Sequence, residues 1–183
     1  MKKLFFYIKE SFAELYHFTN IANLLNIIKN DEFITSGDDG YTPNNYKYYI
    51  SLTRMKCALT GYPTGMIDDK IARIVFNEKL ANKYKIKPVD WGKAKSLALK
   101  STWGEETFNA MHDNLMLQTN VEAEERVCTN DDCIKNISKY ISKIETYKNY
   151  LTPQEKREIE KYCLNNDIIF TIYDNEKDFK LSK

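Results

Sequence analysis

Three stretches of this 183-residue chain hold side chains whose types and spacing could act on a bound ligand. The first, residues 121–127, reads Val-Glu-Ala-Glu-Glu-Arg-Val. Its context predicts a strand, although glutamate is depleted in strands. On a strand Glu122 and Glu124 share one face and Glu125 takes the other. Two carboxylates about 7 Å apart on one face repel each other, so they need open solvent or a task. One such task is to accept from a sugar hydroxyl and steady an oxocarbenium ion. The competing reading is a helix, which Glu-Ala-Glu-Glu-Arg also favours. The second stretch is Ser51-Leu52-Thr53-Arg54, with Ser51 and Thr53 on one strand face. Arg54 at the strand end suits a phosphate, or is simply a solvated cation. The third is Tyr16-His17-Phe18-Thr19, where alternation aligns His17 with Thr19. A histidine at a strand edge can bond a ligand hydroxyl or amide; otherwise it is a partly buried structural residue.

The elements that must position these residues follow from periodicity. Residues 16–19 alternate as a strand. Asn20 or Thr19 caps a helix over 21–29, where Ile21, Leu24, Leu25 and Ile28 keep helical spacing. Residues 33–36 are extended, and 37–45 form a turn-rich loop. Strands are predicted over 48–53, 71–76 and 140–146, with a short helix over 78–84. Residues 88–106 read as polar and irregular, and 134–137 as a connector. Thr152-Pro153-Gln154-Glu155 announces a helix to about Cys163, with a Thr cap, Pro at the first position and Glu three residues after Thr. Residues 168–173 form a final strand. Strands with short helices between them, without regular alternation, predict an α+β fold with a split or bent sheet. No repeat or linker divides the chain, so one domain over 1–183 is expected.

Composition narrows the classes. Apolar residues make up 43% and charged residues 29%, which excludes a disordered or collagen-like chain. No apolar run approaches the roughly 20 residues of a membrane span, so a cytoplasmic protein without a membrane partner is expected. The first eight residues, Met1 to Ile8, lack the length and cleavage site of a signal peptide. The net charge of +1 advertises no global nucleic-acid field. Cys57, Cys128, Cys133 and Cys163 form no CxxC pair and only two His exist, so no metal is expected. No P-loop, dinucleotide-binding, zincin or nucleophile-elbow motif appears, and six Gly cannot build a glycine-rich cradle.

Taken in order, Tyr16-His17-Phe18-Thr19, Asn23-Leu24-Leu25 with Ile27-Ile28, Ser51-Leu52-Thr53-Arg54, and Glu122-Ala123-Glu124 followed by Arg126-Val127 resemble the ADP-ribosyltransferase family. The likeness is greatest to DarT-type nucleic-acid ADP-ribosyltransferases and spans about residues 15–145. It implies an ADP-ribosyltransferase-like split or bent β-sheet core with short flanking helices. It also implies NAD+ as substrate, cleaved at the nicotinamide–ribose bond, with ADP-ribose passed to nucleic acid or protein. Glu124 would be the catalytic carboxylate at the ribose 2'-hydroxyl, with Glu122 assisting the acceptor. Arg54 would bind phosphate or orient the acceptor. His17 and Thr19 would touch a ribose, Asn23 would hold the nicotinamide end, and Ser51 and Thr53 would support the wall. Residues 104–120, which include His112, would present the target. A toxin of a bacterium or phage, acting in the cytoplasm and met by an antitoxin or a host target protein, is the setting implied. NAD glycohydrolase activity, or nucleotide or protein binding without turnover, is the alternative.

Overall fold

A computed structural model describes residues 14–37, 45–53, 70–89 and 124–181. The first strand, β1 (Leu15–Asn20), leads directly into helix α1 (Ile21–Asn30). The Asn20 side chain accepts from the Asn23 N–H at 2.7 Å and caps that helix, a contact of the kind that contributes about 1 kcal/mol. Ile21, Leu24, Ile27 and Ile28 form the buried stripe of α1. Asp31 ends it in the left-handed region, at φ 51°, and its N–H closes onto the Ile27 carbonyl. The Asp31 carboxylate accepts from the Ser138 N–H and hydroxyl, both at 2.9 Å, and from the Tyr162 hydroxyl at 2.7 Å. These three bonds fix the corner between α1 and the next strand.

Next come β2 (Glu32–Ile34), β3 (Ser36–Gly37), β4 (Tyr48–Leu52), β5 (Ile71–Phe76), α2 (Glu78–Lys83) and β6 (Lys85–Val89). After them lie β7 (Glu124–Thr129), β8 (Cys133–Lys135), β9 (Ile141–Tyr147), α3 (Pro153–Asn165), β10 (Ile169–Tyr173) and α4 (Glu176–Leu181). The strands form a four-stranded sheet β1-β5-β9-β10, a pair β2-β8, and a second four-stranded sheet β3-β4-β7-β6. The α+β expectation with a divided sheet is met. The two larger sheets are stitched where Tyr16 and Thr53 exchange backbone hydrogen bonds at 2.8 and 2.9 Å. Their facing sides share one core that includes Leu15, Ile74 and Phe76 from one sheet and Ile50, Leu52 and Val127 from the other.

The predicted strand over 71–76 is β5, buried along its whole length. The capping box at Thr152 and Glu155 is present, with the Glu155 side chain accepting from the Thr152 N–H at 2.7 Å. That bond holds the Glu155 carboxyl below its ordinary range. Two readings are corrected. Residues 134–137 are not a simple connector: β8 pairs with β2, and Ile134, 1% exposed, is a core residue. Pro88 and Val89 are not irregular but end β6, whose partner is β7. The expected final strand is β10, and beyond it lies a helix the sequence reading did not anticipate, α4, in which Phe179 is fully buried.

Candidate functional site

The stitch between the sheets sets His17 over β4. Its Nδ1 lies 2.9 Å from the Ser51 carbonyl oxygen. A carbonyl only accepts, so Nδ1 carries the proton. Desolvation by the surrounding protein pulls the imidazole below its ordinary value, and the carbonyl only partly opposes this. The ring is therefore neutral near pH 7 and Nε2 is a bare acceptor. Phe33 meets the ring edge-on, with centroids 4.7 Å apart and planes at 82°, which fixes its orientation.

His17 lines a cavity of about 370 Å³ together with Phe18, Thr19, Asn23, Asn26, Ile27, Asn30 and residues of β2 and β3. That size falls within the range of small-molecule sites. Nε2, the Thr19 hydroxyl and the Asn23 amide give the cavity one pure acceptor and two groups that donate or accept. Such a set suits a ribose hydroxyl or a carboxamide. Of the lining residues, Thr19 is 4% exposed, whereas Asn23, in the first turn of α1, is exposed.

Ser51 contributes its backbone carbonyl to this arrangement. Thr53 is buried and contributes the backbone pairing that locks β4 to β1. Residues 124–127 are strand, not helix, and β7 lies between β4 and β6. Register pairs Leu52 with Glu125 and Ser51 with Arg126. Glu125 thus shares the core-facing side with Val127 and is 9% exposed. Position 124 falls on the opposite side, with Ser51 and Arg126. Arg54, Glu122, Cys57, His112 and the rest of 104–120 lie outside the described residues.

Sequence reasoning passed over Asn26 and Asn30. With Asn23 they form a polar row at three- and four-residue spacing on the open side of α1. That spacing was a readable signal. It also passed over the Arg126 guanidinium, whose carbon lies 3.8 Å from the Tyr49 ring centroid. Among the described residues no group of three His, Cys, Asp or Glu is arranged to hold a metal, and no helix is long and apolar enough to cross a membrane.

No protein-family model matches the chain, and no curated protein matches it. Among solved structures, the chain is similar to Thermus sp. 2.9 DarT in complex with NAD+, at 12% identity and a TM-score of 0.48, over 91% of this chain and 96% of that one. It is similar over the same 91% to the carba-NAD+ complex of that protein, at 12% identity, 97% coverage and a TM-score of 0.48. The complex of that protein with ADP-ribosylated ssDNA is similar at 11% identity, 95% coverage and a TM-score of 0.48.

Proposed function

We propose that the chain is a mono-ADP-ribosyltransferase, one domain over residues 1–183, that cleaves NAD+ and passes ADP-ribose to a macromolecule. The observation that carries this reading is the neutral His17. One of its nitrogens is committed to the Ser51 carbonyl and the other stands as an acceptor at the wall of a cavity shared with Thr19 and Asn23. Motif order supports the same reading, because Ser51 and Leu52 lie on β4, whose neighbour in the sheet is the glutamate strand β7. Nucleic acid is the favoured acceptor, by the likeness of the opening strand and helix to DarT-type enzymes. The cytoplasm is the favoured location.

In this reading the nicotinamide–ribose C–N bond breaks and its electron pair leaves with nicotinamide. Positive charge develops at the ribose anomeric carbon, and an acceptor lone pair closes the new bond there. Glu124 supplies the negative charge that steadies this cation, with Glu122 at the acceptor. Nε2 of His17 accepts from a substrate hydroxyl or amide, and Thr19 and Asn23 fix the same end. Arg54 takes phosphate. Incubation with NAD+ labelled in the adenosine half tests the proposal. Label on DNA, RNA or protein is the expected result. Free ADP-ribose alone would make the chain a glycohydrolase, and absence of nicotinamide release would end the enzymatic reading.

A further inference from the structure

The described residues that line the cavity beside His17 include one carboxylate, Glu32 of β2, and no lysine or arginine. The register of β2 with β8 sets Lys135 directly opposite Glu32. A cation in that position is the ordinary cross-strand partner of a carboxylate. Yet no ion pair joins the two, and the Glu32 carboxylate makes no ion pair or hydrogen bond among the described residues. Lys135 is exposed, whereas Glu32 is half-buried at the cavity wall. Its charge is therefore left to act on whatever fills the cavity. That charge repels a phosphate and attracts a cation. Around it, His17 Nε2 accepts, and the Thr19 hydroxyl and the amides of Asn23, Asn26 and Asn30 donate or accept. Ile27 and Phe33 add apolar surface on which a flat ring can rest. A ligand that fits all of this has hydroxyls, a carboxamide and a flat cationic ring. The nicotinamide riboside half of NAD+ has all three, whereas its adenosine half is uncharged.

The geometry points to Glu32 as the residue that selects the cationic nicotinamide end of NAD+, against the uncharged ring of NADH and against free nicotinamide. This rests on the reading of NAD+ as the substrate, and it names the end of NAD+ that the cavity receives. The pyrophosphate then lies outside this wall. When the nicotinamide–ribose bond breaks, the electron pair leaves with the ring and nicotinamide departs neutral. It thereby loses the attraction that held it as part of the substrate. Glu32 thus favours the substrate over its own leaving group, which limits inhibition by the product.

The test is calorimetric binding of NAD+, NADH and ADP-ribose to the full chain, in wild type and in Glu32→Gln. Wild type should bind NAD+ about fivefold more tightly than NADH, the size expected of one partly solvated charge pair. Glu32→Gln should remove that preference by weakening NAD+ alone, with NADH and ADP-ribose unchanged within about twofold. Glu32→Asp should keep part of the preference, a result that a merely structural role does not give. Unchanged NAD+ affinity in Glu32→Gln overturns the proposal. An equal loss for ADP-ribose, which has no nicotinamide, puts the adenosine end in the cavity and overturns it too. A measurement on wild type alone guards against a variant that does not fold. There the cation N-methylnicotinamide should displace NAD+ more readily than neutral nicotinamide, and the reverse order overturns the proposal. Wild type that binds NAD+ but releases no nicotinamide defeats the transferase reading instead, while the binding comparison still judges Glu32.

Discussion

The two faces of β1 treat polar groups in opposite ways. On one face, next to Tyr16 and Phe18, Arg73 of β5 is fully buried and paired on every side. Its Nε donates to Glu145 at 2.5 Å, and its other nitrogens donate to the Phe179 carbonyl at 3.3 Å and the Tyr173 hydroxyl at 3.5 Å. Its guanidinium carbon lies 5.1 Å from the Phe179 ring centroid. On the other face, His17 has one nitrogen bonded and one at a cavity wall. A polar group closed on all sides is spent on the fold. A polar group with one side committed and one side open is oriented for a ligand. The strand therefore separates architecture from chemistry at successive residues, which is possible because its side chains alternate.

The largest effect expected from this contrast is on the closed face. Arg73→Met leaves Glu145, 1% exposed, with Lys143 at 3.6 Å as its remaining ion pair among those described. The loss should be about 3–5 kcal/mol by urea unfolding. The double variant Arg73→Met/Glu145→Leu should recover most of it, because it removes the stranded charge. A loss under about 1 kcal/mol for the single variant would mean that this face is not closed.

The next effect is on activity. Glu124→Gln should lower transfer about 100- to 1000-fold with stability nearly unchanged, as for other preorganised electrostatic groups. Glu125→Gln should do the reverse, keeping transfer and losing stability, since Glu125 lies buried on the core-facing side. Paired rate and denaturation measurements check both. A dead Glu125→Gln beside an active Glu124→Gln would shift the site by one residue.

What could be read from the chain beforehand has the same division. β1, α1, β5 and α3 follow from alternation, helical spacing and a capping box, all of which are local. β6 escaped because Lys85-Ile86-Lys87-Pro88 offers one apolar side chain before a proline, and its partner β7 is far along the chain. β8 is three residues long, too short for a period. Helix α4 is six residues long, and Phe179 is its fully buried side chain, so it too is short for a readable period. His17, Thr19 and Asn23 were legible as a cluster because a strand and the helix it enters bring them together. The Arg73–Glu145 pair was not, because 72 residues separate its members and nothing near either one names the other.

The pH dependence of stability separates the faces further. The folded-state value of His17 is lowered by desolvation, so the unfolded chain binds the proton first. Stability from the neutral ring is whole above the unfolded value near 6.5 and is lost as pH falls below it toward the depressed folded value. The slope contributed is at most about 1.4 kcal/mol per pH unit. Chemical unfolding between pH 7.5 and 5 should show a steeper decline in wild type than in His17→Gln. Equal slopes would mean that the ring charges freely and its Nε2 is no fixed acceptor.

The smallest effect tests how completely the closed face is closed. The Tyr173 hydroxyl sits between Arg73 at 3.5 Å and Glu145 at 3.3 Å, both long for hydrogen bonds. Arg73 already has Glu145 and the Phe179 carbonyl, so the hydroxyl completes a network that its stronger members hold together. Tyr173→Phe keeps the ring, which packs on Phe179 at 5.6 Å between centroids, and removes only those two weak bonds. The expected cost is about 0.5–1 kcal/mol by urea unfolding, with transfer unchanged. Thr19→Val is its counterpart on the open face: one hydroxyl removed, shape kept, transfer lowered and stability held. If Tyr173→Phe altered transfer as Thr19→Val does, the two faces of β1 would be coupled through the strand, and the partition of structural from ligand-facing groups would fail.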